Sequence, residues 1–124
     1  MPPKDDVVLY VMEEPASFAW PVKVPVPVDG KYVRGEFTAV FANLQGDALD
    51  ELTATEADAK QKFTDLEIAN RVLLGWGDDL KGGNGKPLEF NDVNKARLLA
   101  NIRVRMAVVG TFLAATRGVA AEKN

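Results

Sequence analysis

Cysteine and histidine are both missing from the 124 residues, and Ser17 is the only serine. Without a thiol or an imidazole there can be no disulfide, no Cys/His zinc site and no histidine general base. A Ser-His-Asp or Cys-His nucleophile is excluded for the same reason. The lack of cysteine suits a reducing cytoplasm. Long hydrophobic runs are missing too. The longest apolar stretch, Met106 to Ala115, is broken by Gly110 and Thr111 and is about half of what a bilayer requires. The N-terminal Met1-Pro2-Pro3-Lys4-Asp5-Asp6 has neither the basic region nor the apolar core of a signal peptide. The expectation is a soluble intracellular protein of one domain, residues 1–124, with no membrane partner.

What is present is a hydrophobic fraction of 47%, enough to fill a core, and a net charge of −3. The charge is uneven. From Asp47 to Glu67 the balance is −5, and from Asn94 to Asn124 it is +5. Either the two segments face each other or solvate separate surfaces, or one of them meets a charged partner. With a negative chain and no aromatic interleaving among the arginines, no nucleic-acid partner is expected.

From Trp20 to Phe41 the sequence specifies a β-hairpin. Trp20, Val22, Val24, Val26 and Val28 alternate with Pro21, Lys23, Pro25 and Pro27, the period of a strand. Asp29-Gly30 suits a two-residue type I′ turn, in which both central positions need φ > 0. That turn puts Val28 opposite Lys31, Val26 opposite Val33, Val24 opposite Gly35, Val22 opposite Phe37 and Trp20 opposite Ala39. Lys23 then faces Glu36 as an opposite-charge pair. In this register Pro21, Pro25 and Pro27 fall where a missing N–H points away from the partner strand, so residues 20–28 must be a sheet edge. The run Val7-Val8-Leu9-Tyr10-Val11-Met12 reads as a third strand, which would have to pair on the far side of residues 31–43.

Beyond Gly46 the pattern becomes helical. Leu49, Leu52, Ala59 and Phe63 form a thin apolar stripe, with Thr53 and Glu56 as one capping box. Thr64 and Glu67 form a better one, followed by Leu66, Ala69, Leu73 and Trp76 on one helical face, with Gly75 or Gly77 as the stop. Asn91 caps a third helix containing Leu98 and Leu99. A fourth runs from near Ile102 to Arg117-Gly118, its core stripe being Ile102, Met106, Val109 and Leu113. Val104, Val108 and Ala115 form a second apolar strip, and Ala107, Gly110 and Ala114 a small-residue face. The fold class is therefore α+β, an N-terminal antiparallel hairpin or small sheet (about 7–43) followed by three or four helices (about 46–117) and a short flexible tail.

Several motifs fail on inspection. Gly75-Trp76-Gly77 and Gly83-Asn84-Gly85 begin a dinucleotide fingerprint, but Leu80 and Leu88 stand at the third glycine position. Gly85-Lys86 is not a phosphate loop, because Pro87 stands where Ser or Thr must bind magnesium. Asp78, Asp79 and Asn84 lack the spacing of a calcium loop. Trp20 and Trp76 read as core anchors. No catalytic residue, cofactor or metal site is expected. The candidate site is a partner-binding one on the basic final helices, formed by Arg97, Arg103, Val104, Arg105 and Val108, where apolar area would supply affinity and charge would steer.

Taken in order, several segments resemble the tail assembly chaperones of long-tailed bacteriophages and prophages. They are Glu14-Pro15-Ala16-Ser17-Phe18-Ala19-Trp20-Pro21-Val22-Lys23-Val24-Pro25-Val26-Pro27, the hairpin end Phe37-Thr38-Ala39-Val40-Phe41, and Val72-Leu73-Leu74-Gly75-Trp76-Gly77-Asp78. A glycine loop follows, then Pro87-Leu88-Glu89-Phe90 and Leu98-Leu99-Ala100-Asn101-Ile102-Arg103-Val104-Arg105-Met106-Ala107-Val108. The likeness covers roughly residues 7–117. It departs from the family at Ile102, where a proline is frequent, and at Gly82-Gly83-Asn84-Gly85, where an acidic turn is frequent. The resemblance implies a non-catalytic protein of the host bacterial cytoplasm that binds the tape measure protein during tail assembly. It also implies contact with the tail tube protein or with a second copy as further options, and absence from the finished virion. The alternative is a structural tail or head-tail joining protein that stays in the particle.

Overall fold

The computed structural model describes residues 7–119. Its first two strands, β1 (Ser17–Val28) and β2 (Lys31–Ala42), form the long hairpin. Asp29 and Gly30 sit at φ of 49° and 82°, the left-handed pair that a type I′ turn demands. The register is the one the turn dictates, with Val26 opposite Val33, Val22 opposite Phe37 and Trp20 opposite Ala39. Lys23 does lie opposite Glu36, but the Glu36 ion pair goes to Arg34 at 3.8 Å, a neighbour on its own face of the strand.

The sheet has three antiparallel strands in the order β1-β2-β3, and β1 with its prolines is an edge. The third strand is not the one expected. It is β3, Leu73–Trp76, which pairs with Ala39–Phe41 of β2 across a bulge between Val40 and Phe41. Val7–Met12 lies exposed outside the sheet, without secondary structure. Apolar, β-branched composition makes such a segment willing to be a strand, but pairing needs an edge within reach, and β3 has taken that place beside β2.

Helix α1 is short, Gly46–Leu52. Thr53 closes it instead of opening another, its hydroxyl donating back to the Leu49 carbonyl, so the Thr53/Glu56 capping box does not form. Helix α2, Asp65–Val72, begins on the expected box: the Thr64 hydroxyl accepts from the Glu67 amide at 3.1 Å, and the Glu67 carboxylate accepts from the Thr64 amide at 2.8 Å. It ends earlier than its apolar pattern suggested. Leu73 is already extended, and the chain passes directly from helix to strand. The buried face of α2 is Ile68, Ala69 and Val72, while Leu66 is exposed.

Helix α3 (Asp92–Ala100) starts where expected, with the Asn91 side chain accepting from the Asn94 amide. Helix α4, Ile102–Thr116, follows after Asn101 alone. Asn101 closes α3 through its amide and opens α4 through its side chain, and the two helix axes meet at 99°. The core lies between one face of the sheet (Val22, Val24, Phe37, Ala39, Phe41) and the helices, whose contributions include Ile68, Val72, Leu99, Val108 and Phe112. Phe41 and Phe112 meet at 5.7 Å across the two layers. The architecture is α+β. Among the described residues no single helix is long and apolar enough to cross a membrane. The expected tail after residue 119 lies outside the described residues.

Candidate functional site

Helix α4 is apolar on nearly every side, so its pattern alone cannot say which side is core. Val104, Val108 and Phe112, spaced four apart, are buried together with Val109. Ile102 and Met106, on the opposite side, are 54% and 58% exposed. Of the expected core stripe, Ile102 and Met106 are turned outward, while Val109 is buried and Leu113 packs against the core; Val104 and Val108, expected to meet a partner, are inside the fold. Packing decides this. Phe112, the largest side chain of the helix, fits against Phe41, and the side carrying Phe112 is buried with it.

The three arginines do not converge. Arg103 is half-buried, and its Nε donates to the Pro25 carbonyl at 3.1 Å, so it ties α4 to the edge strand. Arg105 is half-buried as well, with its Nε enclosed and lacking a hydrogen-bond partner among the described residues. Arg97 is exposed on α3, beside Lys81, Leu88 and Asn94 around an open depression of about 290 Å³. Among the described residues no carboxylate lies within ion-pair distance of any of the three. The acidic segment instead draws on its own lysines, Lys62 with Glu51 at 2.6 Å and Lys60 with Asp58 at 4.0 Å.

What the fold does bring together is an apolar groove between α4 and β1. Trp20, Pro21 and Lys23 form one wall and Gly110, Thr111 and Ala114 the other, enclosing about 200 Å³. Trp20 is 37% exposed and lines this groove, so it is not the core anchor its size suggested. Trp76 is half-buried, donating through Nε1 to the Leu88 carbonyl at 2.7 Å and stacking edge-on against Phe90. A Cβ built on Gly110 would meet nothing within 4 Å, so the groove floor is open at the backbone. Ile102, Met106 and Gly110 thus form an outward stripe on α4 that continues into the groove at Trp20. Sequence reasoning grouped Ile102 with Met106 but assigned both to the core, although the four-residue spacing that separates them from Val104, Val108 and Phe112 was readable.

A larger open hollow, about 940 Å³, lies at the root of the N-terminal arm among Tyr10, Glu14, Phe18, Asn43 and Arg117. Glu14 anchors that root. It accepts from Asn43 Nδ2 at 3.0 Å and from the Tyr10 hydroxyl at 3.1 Å, and these bonds hold its carboxyl below the usual range. The same contact with Glu14 raises the Tyr10 phenol. Lys95 donates to the Asn70 carbonyl at 2.8 Å, and partial burial lowers its ammonium. No family model, curated protein or solved structure matches this chain.

Proposed function

We propose that this protein is a non-catalytic tail assembly chaperone that binds the tape measure protein in the host bacterial cytoplasm. The observation that carries the reading is the outward stripe of α4, where Ile102 and Met106 are held in water by a helix whose opposite side already fills the core. An amphipathic helix laid along that stripe would bury both side chains and the Trp20 groove, gaining roughly 25 cal/mol per Å² of apolar area covered. Arg103 and Arg105 lie on the same helix and supply positive charge for acidic residues flanking the client's apolar stripe. A chain with no histidine and no cysteine is poorly provided for catalysis and well provided for holding. The resemblance to phage chaperones gives the client its identity.

The test is co-expression with the tape measure protein, followed by analysis of purified tails. The reading expects a tape measure protein kept soluble in complex with this chain, and tails that lack it. A stoichiometric band in finished tails would favour a structural tail protein instead.

A further inference from the structure

Val7–Met12 is six apolar residues in a row, each 64% or more exposed and without secondary structure. Among the described residues no backbone group of this arm finds a hydrogen-bond partner. One stretch of the sheet is short of partners in the same way. β3 covers β2 only at Ala39–Phe41, and just beyond it Thr38 is closed off by Asp79 and Gly77. Toward the turn, the outward N–H and C=O groups of Tyr32, Arg34 and Glu36 belong to an open edge, since their odd-numbered neighbours face β1. Prolines blunt the β1 edge but none stands in β2.

We infer that the arm of one molecule adds as a strand to the Tyr32–Glu36 edge of a second copy. The arm cannot span its own edge, because it ends level with Glu36. Glu14 is fixed at Asn43, and the strand from there back to Tyr32 runs about 36 Å, whereas Glu13 to Val7 spans about 23 Å at full stretch. The apolar run matches the open edge in length, and its alternating faces meet exposed Tyr32 on one side and exposed Val33 on the other. Charge favours the contact at the turn end, where Lys31 stands on the edge and the acidic pairs Asp5-Asp6 and Glu13-Glu14 flank the arm; Arg34 is already paired with Glu36. The contact uses the hairpin and not α4, so it stands or falls independently of the client reading.

The test combines sedimentation with amide hydrogen exchange on the full chain and on a Val8→Pro/Val11→Pro variant, whose changed side chains lie in the exposed arm and which removes an edge-facing N–H in either register. Wild type should show a concentration-dependent mass above the 13.5 kDa of one chain, with the Tyr32, Arg34 and Glu36 amides protected. The variant should sediment as one chain and melt as dilute, dissociated wild type does, and the three amides should exchange about tenfold faster. A wild type of one-chain mass overturns the inference, with protected amides meaning that the arm closes on its own sheet. Association or protection that survives the prolines overturns it too. An Ile102→Asp/Met106→Asp variant should associate as wild type does.

Discussion

Arg103 Nε donates to the Pro25 carbonyl at 3.1 Å, joining the first turn of the long helix to a strand edge that its prolines leave rich in acceptors and poor in donors. The same prolines that forbid another strand therefore provide the carbonyl that fixes α4. The position of the helix, with its exposed stripe, depends in part on this contact.

Arg103→Ala should lower stability by about 1 kcal/mol, because a half-buried charged donor is lost and the Pro25 carbonyl is left to water. Thermal melting checks it. Reversing the charge at both Arg103 and Arg105 should cost more, since both side chains are half-buried, so that double variant would confuse binding with folding.

Gly30→Val should destabilise by roughly 1–3 kcal/mol, since Gly30 sits at φ 82° where a β-branched residue is strained. A chemical denaturation midpoint equal to that of wild type would contradict the turn.

Asp79 accepts from the Thr38 amide through both carboxylate oxygens, at 3.0 Å each, and from the Thr38 hydroxyl at 2.8 Å. These bonds, the backbone one foremost, lower its carboxyl from the ordinary range. The folded value lies below the unfolded one, so the stabilisation is present above the unfolded pKa and is lost as pH falls through the folded one. Wild type should therefore lose stability relative to Asp79→Asn as pH drops from about 5 toward 3. Parallel pH titrations of melting temperature should converge at low pH; curves that stay parallel would show that Asp79 is not linked to folding.

The hairpin was legible because two independent signals, the Asp29-Gly30 turn and the proline positions, demand one register. The caps at Thr64 and Asn91 were legible because side chain and amide are three residues apart. Leu73–Trp76 was read as helix because its apolar residues suit a helix face as well as a buried strand. Only pairing with β2 separates the two. The arm at Val7–Met12 was read as a strand from composition, which says nothing about whether an edge is within reach. Val104 and Val108, read as partner-facing, are buried in the core. In a helix apolar all round, the Phe41–Phe112 contact is long-range information that periodicity does not contain.

The outward stripe of α4 as the client-binding face is tested most directly by Ile102→Asp/Met106→Asp, titrated against the tape measure protein. Both side chains point to water, so melting should stay within about 0.5 kcal/mol of wild type. Affinity should fall by at least about 100-fold, or 2.7 kcal/mol, if the stripe is the centre of the contact. Wild-type affinity in this folded variant would contradict the account.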